Sequence, residues 1–244
     1  MGICLEEVMA VTTTHASYDA ARLKWQRLRD VIAGRDAMIA RSIVTGRAAT
    51  LAQSFNTSVG EEYIPRLSGQ DDASYRAYLC RANFFGATGR TVDALVGMIM
   101  AKPAETKLPA PLEAYQDDIT LSACPLREFV QQVLVEEISI TRVGILVDYP
   151  AVNPAGLSRA AAEQMNLRPF LRHYTGETII NWRTSAVNGA EVLTMVVLSE
   201  TVEVPGDDEF STSSEMRYRV LDLTEQGYRV RILNEKGELI SEAF

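Results

Sequence analysis

The sequence predicts an α+β protein, with a helical N-terminal half leading into a β-rich antiparallel part. Apolar residues recur at helical spacing in several segments before residue 140, and alternation replaces that spacing after Arg168. Turn pairs such as Asn188-Gly189 and Gln226-Gly227 punctuate the alternating region, as hairpins require. The change of period falls between Asp148 and Arg168. Three regions follow: an arm and helices with an insert (1–62), a helical core leading to a buried strand (63–150), and an antiparallel β-rich part (151–244).

Each element has a local cause. Residues 1–16 lack periodicity and read as a loose arm. Ser17 or Asp19 caps a helix to about Gly34, with Leu23, Leu28, Val31 and Ile32 as its apolar stripe and Trp25 beside it. Residues 35–54 continue as weaker helix, and 54–62 form a polar loop. Asp71 or Asp72 caps the next helix, which carries Tyr75, Tyr78, Leu79 and Ala82. Phe84, Phe85 and Gly86 form a hinge. Thr88 or Gly89 opens a helix with Val92, Leu95, Val96, Ile99 and Met100 at helical steps, and Pro103 ends it. Three prolines in 103–111 give an extended connector, followed by a short helix near 112–117. Pro125 suits the first turn of a helix to about Ile138. The run TRVGILVDY (141–149) reads as a buried strand with little room at Gly144, and 158–166 as a short helix.

Beyond Arg168, RPFLRHY and TIINWR flank a turn at Thr175-Gly176, and EVLTMVVLSETVEV is a long strand. PGDDEFSTSS (205–214) is an acidic loop. MRYRV and YRVRI alternate, which predicts Arg217, Arg219, Arg229 and Arg231 together on the solvent side of one ribbon. A last strand near Leu239 and Ile240 leaves an unpaired edge.

Composition excludes several function classes. No run has the length of a bilayer-spanning helix, and Glu6 and Glu7 stand where a secretory signal carries basic residues. Three widely spaced cysteines are not a disulfide framework, and two histidines give no metal-ligand spacing. No cofactor motif occurs: Gly86, Gly89, Arg90 and Thr91 fit neither phosphate-loop pattern and mark a helix start. Asp148 ends a strand without a His or Lys partner in the pattern, so no catalytic set is expected. His173 reads as a half-exposed structural residue and Cys80 as a small apolar filler.

A net charge of -8 argues against a general nucleic-acid-binding surface. The residues 22–47 nevertheless hold seven basic side chains against two acids. Arg22, Lys24, Arg27 and Arg29 are therefore the candidate nucleic-acid-facing set, against the plainer reading of a solvated helix face. Candidate interface residues are Phe84 and Phe85 at the hinge, Trp182, and Leu239 and Ile240 on the last strand.

Several segments, in order, resemble the portal proteins of tailed bacteriophages, in a branch catalogued as a domain of unknown function. They are the Trp25 helix with RDVIAG (29–34), YIPRLSGQ (63–70), RANFFGATGRTVDALVGMIMAKP (81–103), RVGILVDYP (142–150) and RPFLRHYTGETIINWR (168–183). The resemblance implies a non-catalytic subunit of a homo-oligomeric ring, commonly of twelve, at one capsid vertex. DNA would pass through the ring without sequence-specific binding during packaging and ejection. The implied partners are terminase, capsid and head-tail adaptor proteins, with no membrane. The implied place is the virion, and the host cytoplasm during assembly. In that family a segment like 81–103 leads into a wing domain, to which the strands after 168 would belong. Stem and clip elements would lie beyond the matching region. The insert 38–60 departs from the pattern. The alternative is an α+β adaptor or protein-binding module that forms no ring.

Overall fold

The computed structural model describes residues 10–41, 62–150, 157–187, 189–206, 208 and 210–243. Of the expected arm and insert, residues 1–9 and 42–60 lie outside these. Helices and antiparallel strands form as the α+β reading requires. Two compact units are present, neither contiguous in sequence. One comprises residues 1–20, 109–129 and 142–244; the other comprises 21–108 and 130–141.

The second unit is helical. It draws on α1 (Ala16–Ala33), α2 (Arg35–Ala40), α3 (Asp72–Arg81) and α4 (Ala87–Ile99). Asp71 caps α3, its carboxylate accepting from the Ser74 N–H at 2.8 Å. The far end of α3 is capped in trans. Arg35 donates to the carbonyls of Leu79 at 3.0 Å, Cys80 at 3.1 Å and Ala82 at 2.6 Å. These are carbonyls that a helix end leaves without an intrahelical donor. Gly34, with φ 93°, makes the break between α1 and α2 in a region that a side chain disfavours.

The buried stripe of α1 differs from the expected one. Trp25 and Asp30 are buried, whereas Leu23 and Leu28 are exposed. An acid enters the stripe because Arg41 and Tyr63 meet it there, which shifts the inward face. On α4 the inward residues are Val92 and Val96. Its N-terminal turn runs close to α1: a Cβ on Gly89 would lie 3.0 Å from the Ile32 carbonyl oxygen. Cys80, expected as a filler, is exposed, because the inward face of α3 runs through Tyr75 and Leu79 one step away.

The first unit includes α5 (Ala110–Glu113), a 3-10 turn (Ala114–Asp117), the start of α6 (Leu126–Ile140), and α7 (Arg159–Gln164). Its strands are β1 (Val143–Asp148), β2 (Phe170–Thr175), β3 (Ile179–Val187), β4 (Ala190–Pro205), β5 (Thr212–Thr224), β6 (Gly227–Asn234) and β7 (Leu239–Ala243). β1 and β2 form an antiparallel pair, and β3 to β7 form a five-stranded meander in sequence order. β1 is half-exposed, not buried as expected: Val147 is 67% exposed, with Ile145 on the same side. Its other face turns inward at Gly144, where a Cβ would lie 3.0 Å from Cδ1 of Ile179. A 3-10 turn, Gly176–Thr178, carries the chain from β2 into a different sheet. Part of the acidic loop is strand: Thr212, Ser213 and Ser214 pair with Pro205, Val204 and Glu203.

The four arginines of β5 and β6 do not share a face. Arg217 pairs with Asn234 and Arg219 with Ile232, whereas Arg231 pairs with Val220 and Arg229 with Asp222. A two-residue turn between Thr224 and Gly227 sets odd positions of one strand opposite even positions of the other. Arg217 and Arg219 therefore lie on one side, and Arg229 and Arg231 on the other. The latter side carries the core of Ile180, Val197, Tyr218, Val220 and Leu233, with Val11, Tyr18, Met195 and Met216 against it.

Candidate interaction surfaces

Four strands of the β unit contribute to one polar cluster. Asp148 ends β1, Arg172 and Tyr174 lie on β2, Glu200 on β4 and Arg219 on β5. Arg219 donates through Nε to Glu200 at 2.7 Å and reaches Asp148 at 3.3 Å. The Tyr174 hydroxyl also donates to Glu200. Arg172 lies 3.7 Å from Asp148 and 3.8 Å from Glu200. Burial works against the charge on Glu200. Hydrogen bonds from Arg219 and Tyr174, and the positive charges of Arg219 and Arg172, outweigh it and hold the carboxyl below the usual range. Burial first, then the bond to Glu200, raises the Tyr174 phenol. Two carboxylates face two guanidiniums and a phenol, so the charges compensate. The cluster fastens the β1–β2 pair to the larger sheet, and its tyrosine is held protonated.

A second cluster lies in the helical unit. Asp30 accepts from Nε of Arg41 at 2.7 Å and from the Tyr63 hydroxyl at 2.9 Å. Arg27 meets Glu62 at 3.3 Å. These contacts join α1 to the residues on either side of segment 42–61. Sequence reasoning missed both clusters. Glu200 left a signal, since it interrupts the alternation of β4; Asp30 left none, since it follows Arg29 as one of two adjacent polar residues on an amphipathic helix.

The candidate basic set divides. At 100° per residue, Arg22 and Arg29 share one side of α1, and Lys24 and Arg27 lie on the opposite side. Arg29 is engaged by Glu136 on α6. Arg27 has its ion pair with Glu62, and Arg22 and Lys24 are exposed. The helix therefore gathers no single basic stripe from these four residues.

Of the candidate interface residues, Phe85 is the most exposed at 74%, with Phe84 beside it between α3 and α4. The Arg90 guanidinium lies over the Phe85 ring, 5.2 Å from its centroid. The outward side of α4 adds Leu95, Met98 and Ile99, all exposed. Leu239 and Ile240 lie on β7, the last strand of the meander, and both are exposed. A register shift breaks the β6–β7 ladder at this point: Ile232 pairs with Ser241 and Leu233 with Leu239, leaving Ile240 as the extra residue. Such a bulge blunts an edge. Trp182, on β3, is occupied within its own chain. His15 stacks on it with ring centroids 4.0 Å apart, and Arg142 lies 4.4 Å from its centroid.

Among the described residues no group of three or more His, Cys, Asp or Glu is placed to hold a metal ion. Among them, no helix is long and apolar enough to cross a membrane. A comparison with models of known protein families and with curated proteins found no match.

Proposed function

We propose that this chain is the N-terminal and wing part of a phage portal subunit, a non-catalytic component of the ring through which DNA is packaged and ejected. The observation that carries the reading is the collinear set of portal-like segments, all but the turn segment 63–70 containing a helix or a strand. Residues 81–103 contain α4, 142–150 contain β1, and 168–183 contain β2 and the start of β3. These three hold a short helix-to-helix hinge, a strand with a close approach at Gly144, and a turn that changes sheets. The exposed apolar residues Phe84, Phe85, Leu95, Met98 and Ile99 suit contact with a neighbouring protein. The acidic balance of -8 suits a channel wall that does not hold the phosphate backbone. Ring closure requires a heterologous interface, in which different patches of each subunit join head to tail.

Purification from cells that also produce the capsid and terminase proteins of a tailed phage tests this reading. Native mass spectrometry is expected to find the chain in a complex with capsid or terminase components. A chain that purifies free of both, and binds an unrelated partner in a fixed small ratio, would instead be an adaptor or binding module.

A further inference from the structure

The residues ahead of α1 and its first turn are held on the β unit by a distinct set of contacts. The His15 N–H donates to the Ile180 carbonyl at 2.9 Å, and Nδ2 of Asn181 donates to the Thr13 carbonyl at 2.9 Å. The Tyr18 hydroxyl donates to the Glu177 carbonyl at 3.0 Å. Val11 and Tyr18 pack on the core, and the His15 ring stacks on Trp182. β3 is the outer strand of the meander, so this segment covers its edge at Ile180.

The His15 ring also caps the helix that follows. The Ser17 N–H donates to its Nδ1 at 3.1 Å. Only a neutral imidazole has an accepting nitrogen; protonation makes both nitrogens donors. Protonated Nδ1 would point one N–H at another, at a helix N-terminus where the backbone dipoles already favour negative charge. Arg142 already occupies the Trp182 ring as a cation. Two effects oppose this: attraction of an imidazolium for the indole face, and the carboxylate of Asp19. Asp19 is already engaged by the Thr14 hydroxyl, at 3.0 and 2.9 Å to its two oxygens. The direct donor–donor conflict acts at hydrogen-bond distance and dominates. The other charged side chains nearest in sequence to these contacts are Arg22 on α1, Glu177 on the 3-10 turn and Arg183 on β3.

We propose that His15 is a pH-sensitive latch, which fastens residues 11–18 to the edge of β3 when neutral and releases them when protonated. Release uncovers the backbone of β3 at Ile180. The test is amide hydrogen exchange on the whole chain at about pH 7.5 and about pH 5.5, either side of the range in which histidines ordinarily titrate, corrected for intrinsic exchange rates. Protection at His15 and Ser17 is expected to fall by up to roughly tenfold at the lower pH, the limit for one ordinary histidine over this interval, with β4 and β5 unchanged. His15→Asn retains a capping oxygen but does not titrate, and should keep the same protection at both values. His15→Phe retains the stack without the acceptor, and should show low protection at both. Equal protection of the wild-type chain at the two pH values would overturn the proposal. So would an undiminished pH response in His15→Asn, which would assign the effect to another group.

Discussion

At the scale of single residues, buried carboxylates carry the specific contacts of both units. Asp30 holds Arg41 and Tyr63 from within a buried helix face. Removing one member of such a pair leaves the other uncompensated. Asp30→Ala is therefore expected to destabilise the helical unit by about 3 kcal/mol. Asp30→Asn, which still accepts from Tyr63, should cost less. Urea denaturation of the two variants checks the order. Glu200 offers a test by pH. Its folded pKa is depressed, so the stability it contributes is present above its ordinary value of 4.5 and is lost as pH falls through the folded value. The wild-type chain should lose stability on acidification below that value. Glu200→Gln should start less stable and lose less over the same interval, because the titrating group is gone. Parallel pH profiles for the two would remove Glu200 from the account.

At the scale of elements, two glycines of α4 separate helix propensity from packing. Each Gly→Ala change within a helix gains up to about 1 kcal/mol from propensity alone. At Gly97 nothing lies within 4 Å of the added Cβ, so Gly97→Ala should stabilise. At Gly89 the Cβ would meet the backbone oxygen of Ile32 at 3.0 Å, and backbone yields less readily than a side-chain tip. Gly89→Ala should therefore lose the propensity gain and destabilise. Thermal melts of both variants should move in opposite directions. The contact at Gly144 is of the softer kind, against the methyl end of Ile179. Gly144→Ala should cost less than about 1 kcal/mol, and Gly144→Leu should cost about 1–3 kcal/mol by overpacking.

The elements were the most readable part of the sequence. The cap at Asp71, the short helix within 158–166, the long β4 and the hairpin at Gly189 follow from short-range chemistry that a local reading contains. Faces were read less well. The apolar stripe of α1 was placed on Leu23 and Leu28 because a buried Asp30 cannot be anticipated without its partners, which lie 11 and 33 residues away. The arginine ribbon failed on parity, since one shared face requires strands aligned odd to odd and a two-residue turn aligns them odd to even. The outward face of β1 was read as buried because Ile145 and Val147 are apolar, yet a two-stranded sheet need cover only one side. Of the candidate interaction residues, Phe84, Phe85, Leu239 and Ile240 are exposed. Trp182 is engaged by His15 and Arg142, a pairing across 167 residues that no local pattern shows.

At the scale of the whole molecule, the α+β architecture is compatible with either a ring subunit or a binding module, because fold alone does not fix function. The two differ in where the exposed apolar residues are used. In a portal ring much of the contact between subunits would come from stem and clip elements outside the matching region. This chain alone is accordingly expected to be monomeric or weakly associated by light scattering. A stable closed ring formed by it alone would place the ring contacts among its own residues.

The central claim is a place at the capsid vertex, and imaging tests it most directly. Particles produced with an epitope-tagged subunit would be examined by electron microscopy with gold-labelled antibody. The account predicts label at a single vertex of each particle, from a ring of about twelve copies closed by heterologous contacts. Label spread over the whole shell, or particles that carry none while the protein stays soluble, would contradict it.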